Sequence, residues 1–378
     1  MSSFFTCSSL QLTLIIITIM VSIFSPYAET EQRLFKKIYA FGDSFTDTGN
    51  TRSMSGPKGF AHVSNPPYGI TFFHRPTNRY SDGRLVIDFV AQALSLSFLP
   101  PYLNIKATNG SSYGVNFAVA GSTAINHAFF VKNNLTLDIT PQSIQTQLIW
   151  FNKYLERQGC GTECKSEFDD ALIWVGEIGV NDYAYTSFES SVSSDTIRKL
   201  SIYSFTHFMQ GLLDKGAKYV VVQGLPATGC LTLALAMSPD YDRDEIGCVK
   251  SVNNQSYTHN VALQSALDDL RRQYPQAVIV YADYWNAYRM VVENPDKYGF
   301  KEVFKVCCGT GEQSYNFNVF DTCGTPSSSS CQNPFQYINW DGVHLTEAMY
   351  KVVADMFLNG NLSHPPFNYL LERKQHQG

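Results

Sequence analysis

The chain has 378 residues, of which 44 % are hydrophobic and 16 % charged. That balance suits a packed core and excludes general disorder. The formal net charge of -5, with no basic stripe, leaves nucleic-acid binding without electrostatic support.

Leu10 to Phe24 is apolar apart from Gln11, Thr13, Thr18 and Ser22. Small residues and the charged Glu29 follow. Such a run, ending near Ala28, predicts a secretory leader over residues 1–28. It falls short of the ~18 purely apolar residues of a retained membrane anchor. No later segment is long and apolar enough to span a bilayer. Residues 29–378 are then expected to form a single domain.

Five short apolar runs follow in order: Lys37–Phe41, Gly114–Val119, Ala171–Val175, Lys218–Val222 and Ala277–Tyr281. Apolar on both faces, they read as buried parallel strands. Between them the spacing predicts helices over Asp82–Leu96, Pro141–Arg157, Ser194–Lys215 and Ser251–Tyr274. In the second of these, Thr140 is the expected N-cap and Pro141 opens the first turn. A further helix is expected over Thr346–Leu358, stopped by Asn359-Gly360. Alternating strands and helices imply one α/β domain with a parallel sheet. The Pro- and Gly-rich stretch 51–80 and the Ser-rich Thr325–Ser330 are expected to be loops near the mouth of a site. The polar tail after His364 is expected to fray.

Cys7 lies in the leader, which leaves eight cysteines, an even set that fits an oxidising compartment. Their clustering suggests Cys160 with Cys164, Cys230 with Cys248, and two bridges among Cys307, Cys308, Cys323 and Cys331. The adjacent Cys307 and Cys308 should take different partners, because bridge geometry disfavours a vicinal bond. No histidine stands close enough to these clusters to favour zinc. Four Asn-x-Ser/Thr sequons, at Asn109, Asn134, Asn254 and Asn361, add to the case for secretion.

Four blocks lie at the ends of predicted strands or before the last predicted helix. After the first strand comes Gly42-Asp43-Ser44-Phe45. After the second comes Ala118-Val119-Ala120-Gly121-Ser122. After the third comes Gly176-Glu177-Ile178-Gly179-Val180-Asn181-Asp182-Tyr183. Near the C-terminus stands Asp341-Gly342-Val343-His344. Singly, each block has a plain reading. Ser44 could cap a helix with Asp43 and Asp47 on its first turn. Asn181-Asp182 could be a turn, and Asp341-x-x-His344 could cap a helix. Together they supply a hydroxyl at a strand end, a histidine that titrates near neutrality, a carboxylate to orient it, a flexible Gly N–H and a neutral amide donor. Acyl transfer to serine requires those parts.

In this order and at these depths, the blocks resemble the GDSL family of the SGNH hydrolase superfamily, and its plant branch most closely. The likeness runs from about residue 35 to residue 360. It implies a flavodoxin-like three-layer α/β/α sandwich around a five-stranded parallel sheet. It also implies a secreted esterase or lipase that cleaves carboxylic esters through an acyl-serine. Ser44 would be the nucleophile and His344 the general base and then acid, oriented by Asp341. Ser44 N–H, Gly121 N–H and the Asn181 amide would bind the oxyanion. Phe45 stands where the family name has Leu, and Val180 where Gly is frequent. The partner is an ester substrate, and no cofactor or metal is expected. Two rivals use the same residues: an acyltransferase in which an alcohol replaces water, and a secreted binding or defence protein with a vestigial triad.

Overall fold

The computed structural model describes residues 33–53, 61–105, 113–135, 140–160, 165–187, 192–311 and 314–376. The expected leader, the Cys160–Cys164 bridge and the Asn109 sequon lie outside them. Five strands form where the apolar runs predict them: β1 (Lys37–Phe41), β2 (Gly114–Asn116), β3 (Ala171–Val175), β4 (Tyr219–Gln223) and β5 (Val278–Ala282). They are parallel in the order β2-β1-β3-β4-β5. Ser363–His364 adds a short antiparallel edge on β5, which the sequence reading did not foresee. Two residues are too few to show a period.

Successive residues of each strand bury against opposite layers, as a period of two requires. Ile38, Ala40, Leu172, Trp174, Val221 and Val280 meet the helices Val86–Ala93, Tyr284–Glu293 and Glu347–Leu358. Tyr39, Phe41, Ile173, Val175, Val222 and Tyr281 meet the helices Ile144–Arg157, Ser194–Asp214 and Lys250–Gln273. The result is the expected three-layer sandwich with a flavodoxin-like strand order. In that order the crevice for a ligand opens at the carboxyl ends of β1 and β3, where the strand order reverses.

Two local expectations are corrected. The second predicted helix starts later, at Ile144, with Ser143 as its N-cap. Ser143 N–H donates to Thr146 Oγ1 at 3.3 Å, whereas Thr140 spends its hydroxyl on Ala120 O at 2.8 Å. The tail does not fray. Phe367–Gln375 is a helix whose Phe367 and Leu370 join the core, and its Lys374 pairs with Asp170 at 2.7 Å. Tertiary burial outweighs the polar composition of this segment, as it does for most short helices.

Three disulfides are described: Cys230–Cys248, Cys307–Cys331 and Cys308–Cys323. Cys307 and Cys308 do go to different partners. Cys307 N–H donates to Asn339 O at 3.0 Å, and Cys308 N–H to Trp340 O at 2.8 Å. The two bridges are thereby tied to the backbone that runs directly into Asp341. Cys307, Cys308, Cys323 and Trp340 share a small core with Val63, Tyr68 and Tyr80. Part of the 51–80 stretch and the cysteine loop thus support one corner of the sheet's carboxyl edge. Cys308–Cys323 closes a loop with a sequence separation of 15, for which loop-closure entropy gives about 3 kcal/mol. Replacing both cysteines by serine is expected to lower unfolding free energy by that order in urea titrations. Unchanged stability would show that the loop is held by packing alone.

Candidate active site

β1 ends at Phe41, and the chain turns at once. Gly42 has φ 139°, a left-handed value that suits glycine. Its N–H and carbonyl are both held by the Gln147 amide, at 3.0 and 2.7 Å. Thr46 and Asp47 N–H then donate to Asp43 O at 3.1 and 2.9 Å, closing a single tight turn. Gly176, at the end of β3, leaves room for it. A Cβ there would stand 2.0 Å from Thr46 Oγ1.

Ser44 is not a helix cap. The Asp43 side chain takes the local capping bond, from Phe45 N–H at 3.0 Å. Asp47 caps the next short helix, accepting from Gly49 and Asn50 N–H at 2.7 and 2.6 Å. The Ser44 hydroxyl is therefore spare, and it lies 2.7 Å from His344 Nε2. His344 Nδ1 lies 2.8 Å from Asp341 Oδ2.

The other end of this chain is also a turn. Asp341 Oδ1 accepts from Val343 and His344 N–H at 3.1 and 2.8 Å. The Asp-x-x-His spacing thus closes as a side-chain-to-backbone turn. Gly342 at φ 100° permits it, and a Cβ there would strike the Phe317 ring. The Tyr68 hydroxyl donates to Asp341 Oδ2 at 2.7 Å. Burial pushes the Asp341 pKa up, but the His344 ring and these hydrogen bonds outweigh it and bring it to about 2. Asp341 is therefore a fixed carboxylate at any moderate pH. Phe45 and Tyr80 rings flank the imidazole, with centroids at 5.4 and 4.6 Å.

Ser44 N–H and Gly121 N–H have no hydrogen-bond acceptor among the described residues. Both are buried. Unpaired buried N–H groups are rare, which makes two of them on turns linked by one side chain, Asn181, a notable pair. The Gly121 carbonyl accepts from the Tyr185 hydroxyl at 2.8 Å. Asn181 Nδ2 is held by Asp43 Oδ2 at 2.8 Å and by Ser122 O at 3.0 Å. The five residues singled out from the sequence are thus joined by two short chains of contact. Ser44, His344 and Asp341 are linked directly. Asn181 bridges from the residue before Ser44 to the residue after Gly121.

Sequence reasoning missed the supports. Gln147 ties Gly42 to the Ser122 hydroxyl, Tyr68 holds Asp341, and Asp182 accepts from Ala124 and Ile125 N–H at 2.9 and 2.8 Å. Only the position of the 51–80 stretch, expected near a site mouth, pointed toward Tyr68. Asp169 and Asp170 lie before β3, away from this edge, where they pair with Lys218, Lys36 and Lys374.

The comparisons with known proteins agree with this frame. Residues 38–357 match the profile of the GDSL-like lipase/acylhydrolase family. A GDSL esterase/lipase of Arabidopsis thaliana is 66 % identical over 347 residues, 90 % of each chain. A sinapine esterase of Brassica napus is 39 % identical over 353 residues, 90 % of each chain. Acetylajmalan esterase 2 of Rauvolfia serpentina is 39 % identical over 335 residues, 86 % of this chain and 90 % of that one. The chain belongs to the GDSL-like lipase/acylhydrolase family, a family of carboxylic ester hydrolases.

Two buried acids set opposite pH trends. Burial raises Asp182 to about 7, against the pull of its two backbone donors. Folding therefore favours its protonated form. That stability is complete below the ordinary carboxylate range and is lost as pH rises through about 7. For Asp341 the sign reverses, and its contribution is lost only as pH falls toward about 2. The melting temperature is expected to fall between mildly acidic and mildly alkaline buffer. Asp182→Asn should lower it yet flatten this slope in scanning calorimetry. A slope that stayed as steep would assign the trend to another group.

Proposed function

We propose that this chain is a secreted serine esterase acting through an acyl-serine intermediate. Ser44 is the nucleophile, His344 the general base and then acid, and Asp341 the group that orients and charges-balances His344. The observation that carries the reading is the continuous run of contacts from Ser44 Oγ to His344 Nε2 at 2.7 Å and from His344 Nδ1 to Asp341 Oδ2 at 2.8 Å.

In the reaction, His344 takes the Ser44 proton as Oγ attacks the ester carbonyl. The developing oxyanion meets the two unspent N–H groups of Ser44 and Gly121. The Asn181 amide is the third donor. One of its hydrogens now faces the neutral Ser122 carbonyl, and a full oxyanion is the stronger acceptor for it. His344 then hands its proton to the leaving alcohol, and water repeats the sequence on the acyl-serine. Asp341 stays ionised throughout, so it holds the ring in one tautomer and stabilises the imidazolium.

Relatives named as a sinapine esterase and an acetylajmalan esterase favour small-molecule esters over long-chain lipids as substrates. Disulfides, exposed sequon asparagines at Asn134, Asn254 and Asn361, and the leader-like N-terminus support secretion. No helix among the described residues is long and apolar enough to cross a membrane.

Ser44→Ala is expected to abolish hydrolysis of a chromogenic acetate and block labelling by a fluorophosphonate probe. Asn181→Ala should lower kcat roughly 10²–10³-fold, the usual worth of one oxyanion donor. Against a panel of acetyl, phenolic and long-chain esters, small acetyl and phenolic esters should be turned over best. Retained wild-type turnover in Ser44→Ala would end the assignment. A preference for long-chain esters would end the substrate reading alone.

A further inference from the structure

Glu177 is completely buried at the end of β3, and the mechanism above does not use it. Neither of its carboxyl oxygens has a well-formed hydrogen bond from a donor among the described residues. Its hydrogen-bond neighbour is another carboxyl, that of Asp43. Two ionised carboxylates cannot share a dry site, so one of the pair must carry a proton. Asp43 has donors of its own, Phe45 N–H at 3.0 Å and Asn181 Nδ2 at 2.8 Å. Glu177 has only the weaker pull of Val180 N–H. The proton therefore belongs on Glu177, whose O–H points its bond at the Asp43 carboxylate.

We propose that Glu177 is a positioning residue for the oxyanion hole: its protonated carboxyl donates to Asp43, and Asp43 in turn fixes the Asn181 amide beside Gly121 and Ser122. This rests on the catalytic reading above. It adds a three-residue strut, Glu177 to Asp43 to Asn181, that spans from β3 back to the turn bearing Ser44. The geometry explains an otherwise costly feature, two acids in contact beneath a nucleophile. An acid–carboxylate hydrogen bond is short, strong and directional, and Asp43 with one acceptor oxygen engaged on each side cannot swing away from Asn181.

The charged and titratable groups around the strut favour the same proton placement. Burial raises the Glu177 pKa most, followed by the charge and hydrogen bond of Asp43 and the charge of Asp182, against a weaker pull from Val180 N–H. Tyr284 and Tyr350 also face the pair, and burial raises both far above the ordinary phenol range, so they stay neutral. At high enough pH Glu177 ionises and repels Asp43, and the strut opens.

The test compares Glu177→Gln with Glu177→Leu. The amide of Gln can still donate to Asp43, so kcat should stay within about threefold of wild type, one hydrogen bond replacing another. Leu fills the space without a donor. Its kcat should fall about 10–100-fold with KM little changed, the mark of a donor misplaced in the transition state. The alkaline fall in kcat should be present in wild type and absent in Glu177→Gln. Infrared difference spectra of wild type against Glu177→Gln at neutral pH should show the carbonyl stretch of one protonated carboxylic acid. This signature does not depend on activity or on whether the Leu variant folds. An absent infrared band, a wild-type kcat in folded Glu177→Leu, or equal losses in both variants would overturn the proposal. Failure of the wild-type enzyme on every ester would instead strike the catalytic reading, and the infrared result would stand apart from it.

Discussion

Everything at the carboxyl edge of the sheet is organised around one hydrogen bond, Ser44 Oγ to His344 Nε2, between residues 300 positions apart in the chain. Such a contact cannot be made by local structure. It requires β1 to sit between β2 and β3, so that its terminal turn lies where the strand order reverses. It also requires the segment before helix Glu347–Leu358 to be carried back over that edge. The loop entropy of bringing such distant residues together is met by the core on both faces of the sheet.

Each side of this bond is held from below by a different device. On the serine side a glycine turn, the Gln147 amide and the close approach of Gly176 fix the backbone. On the histidine side the Asp341 carboxylate accepts two N–H groups of its own turn, and two disulfide-bonded cysteines pair with the backbone just before it. Rigid supports suit a site whose donors must be in place before charge develops.

The same edge concentrates buried acids. Asp43, Asp47, Glu177 and Asp182 are all buried there, and each is raised by loss of water. Asp341 alone is lowered, because an imidazole, two backbone donors and Tyr68 surround it. Environment thus separates carboxyl groups of one chemical type into a permanent anion and a set whose ionisation burial opposes. The division follows from which donors the fold brings to each oxygen, and it assigns distinct duties within a few ångströms.

Much of this was legible in the sequence because its signals are local. Apolar runs buried on both faces gave the strands, a Gly at a strand end marked the turn before Ser44, and Asp341-Gly342-x-His344 had the spacing of a closed turn. Adjacent cysteines implied separate partners. The order of the blocks along the chain carried the family likeness. The rest was not local. Leu370 and Phe367 made a packed helix of a polar tail, Thr140 gave up its cap for a carbonyl in another loop, and Ser363–His364 found an edge that no two-residue pattern could announce. The supports Gln147 and Tyr68 have ordinary neighbours in sequence and acquire meaning only through contacts across many residues. The sequence by itself determined which side chains could do the chemistry, because residue type fixes pKa, nucleophilicity and hydrogen-bonding capacity. Only the tertiary structure decided which of them meet and which carboxyls stay charged, because distance and exclusion of water are properties of the folded chain.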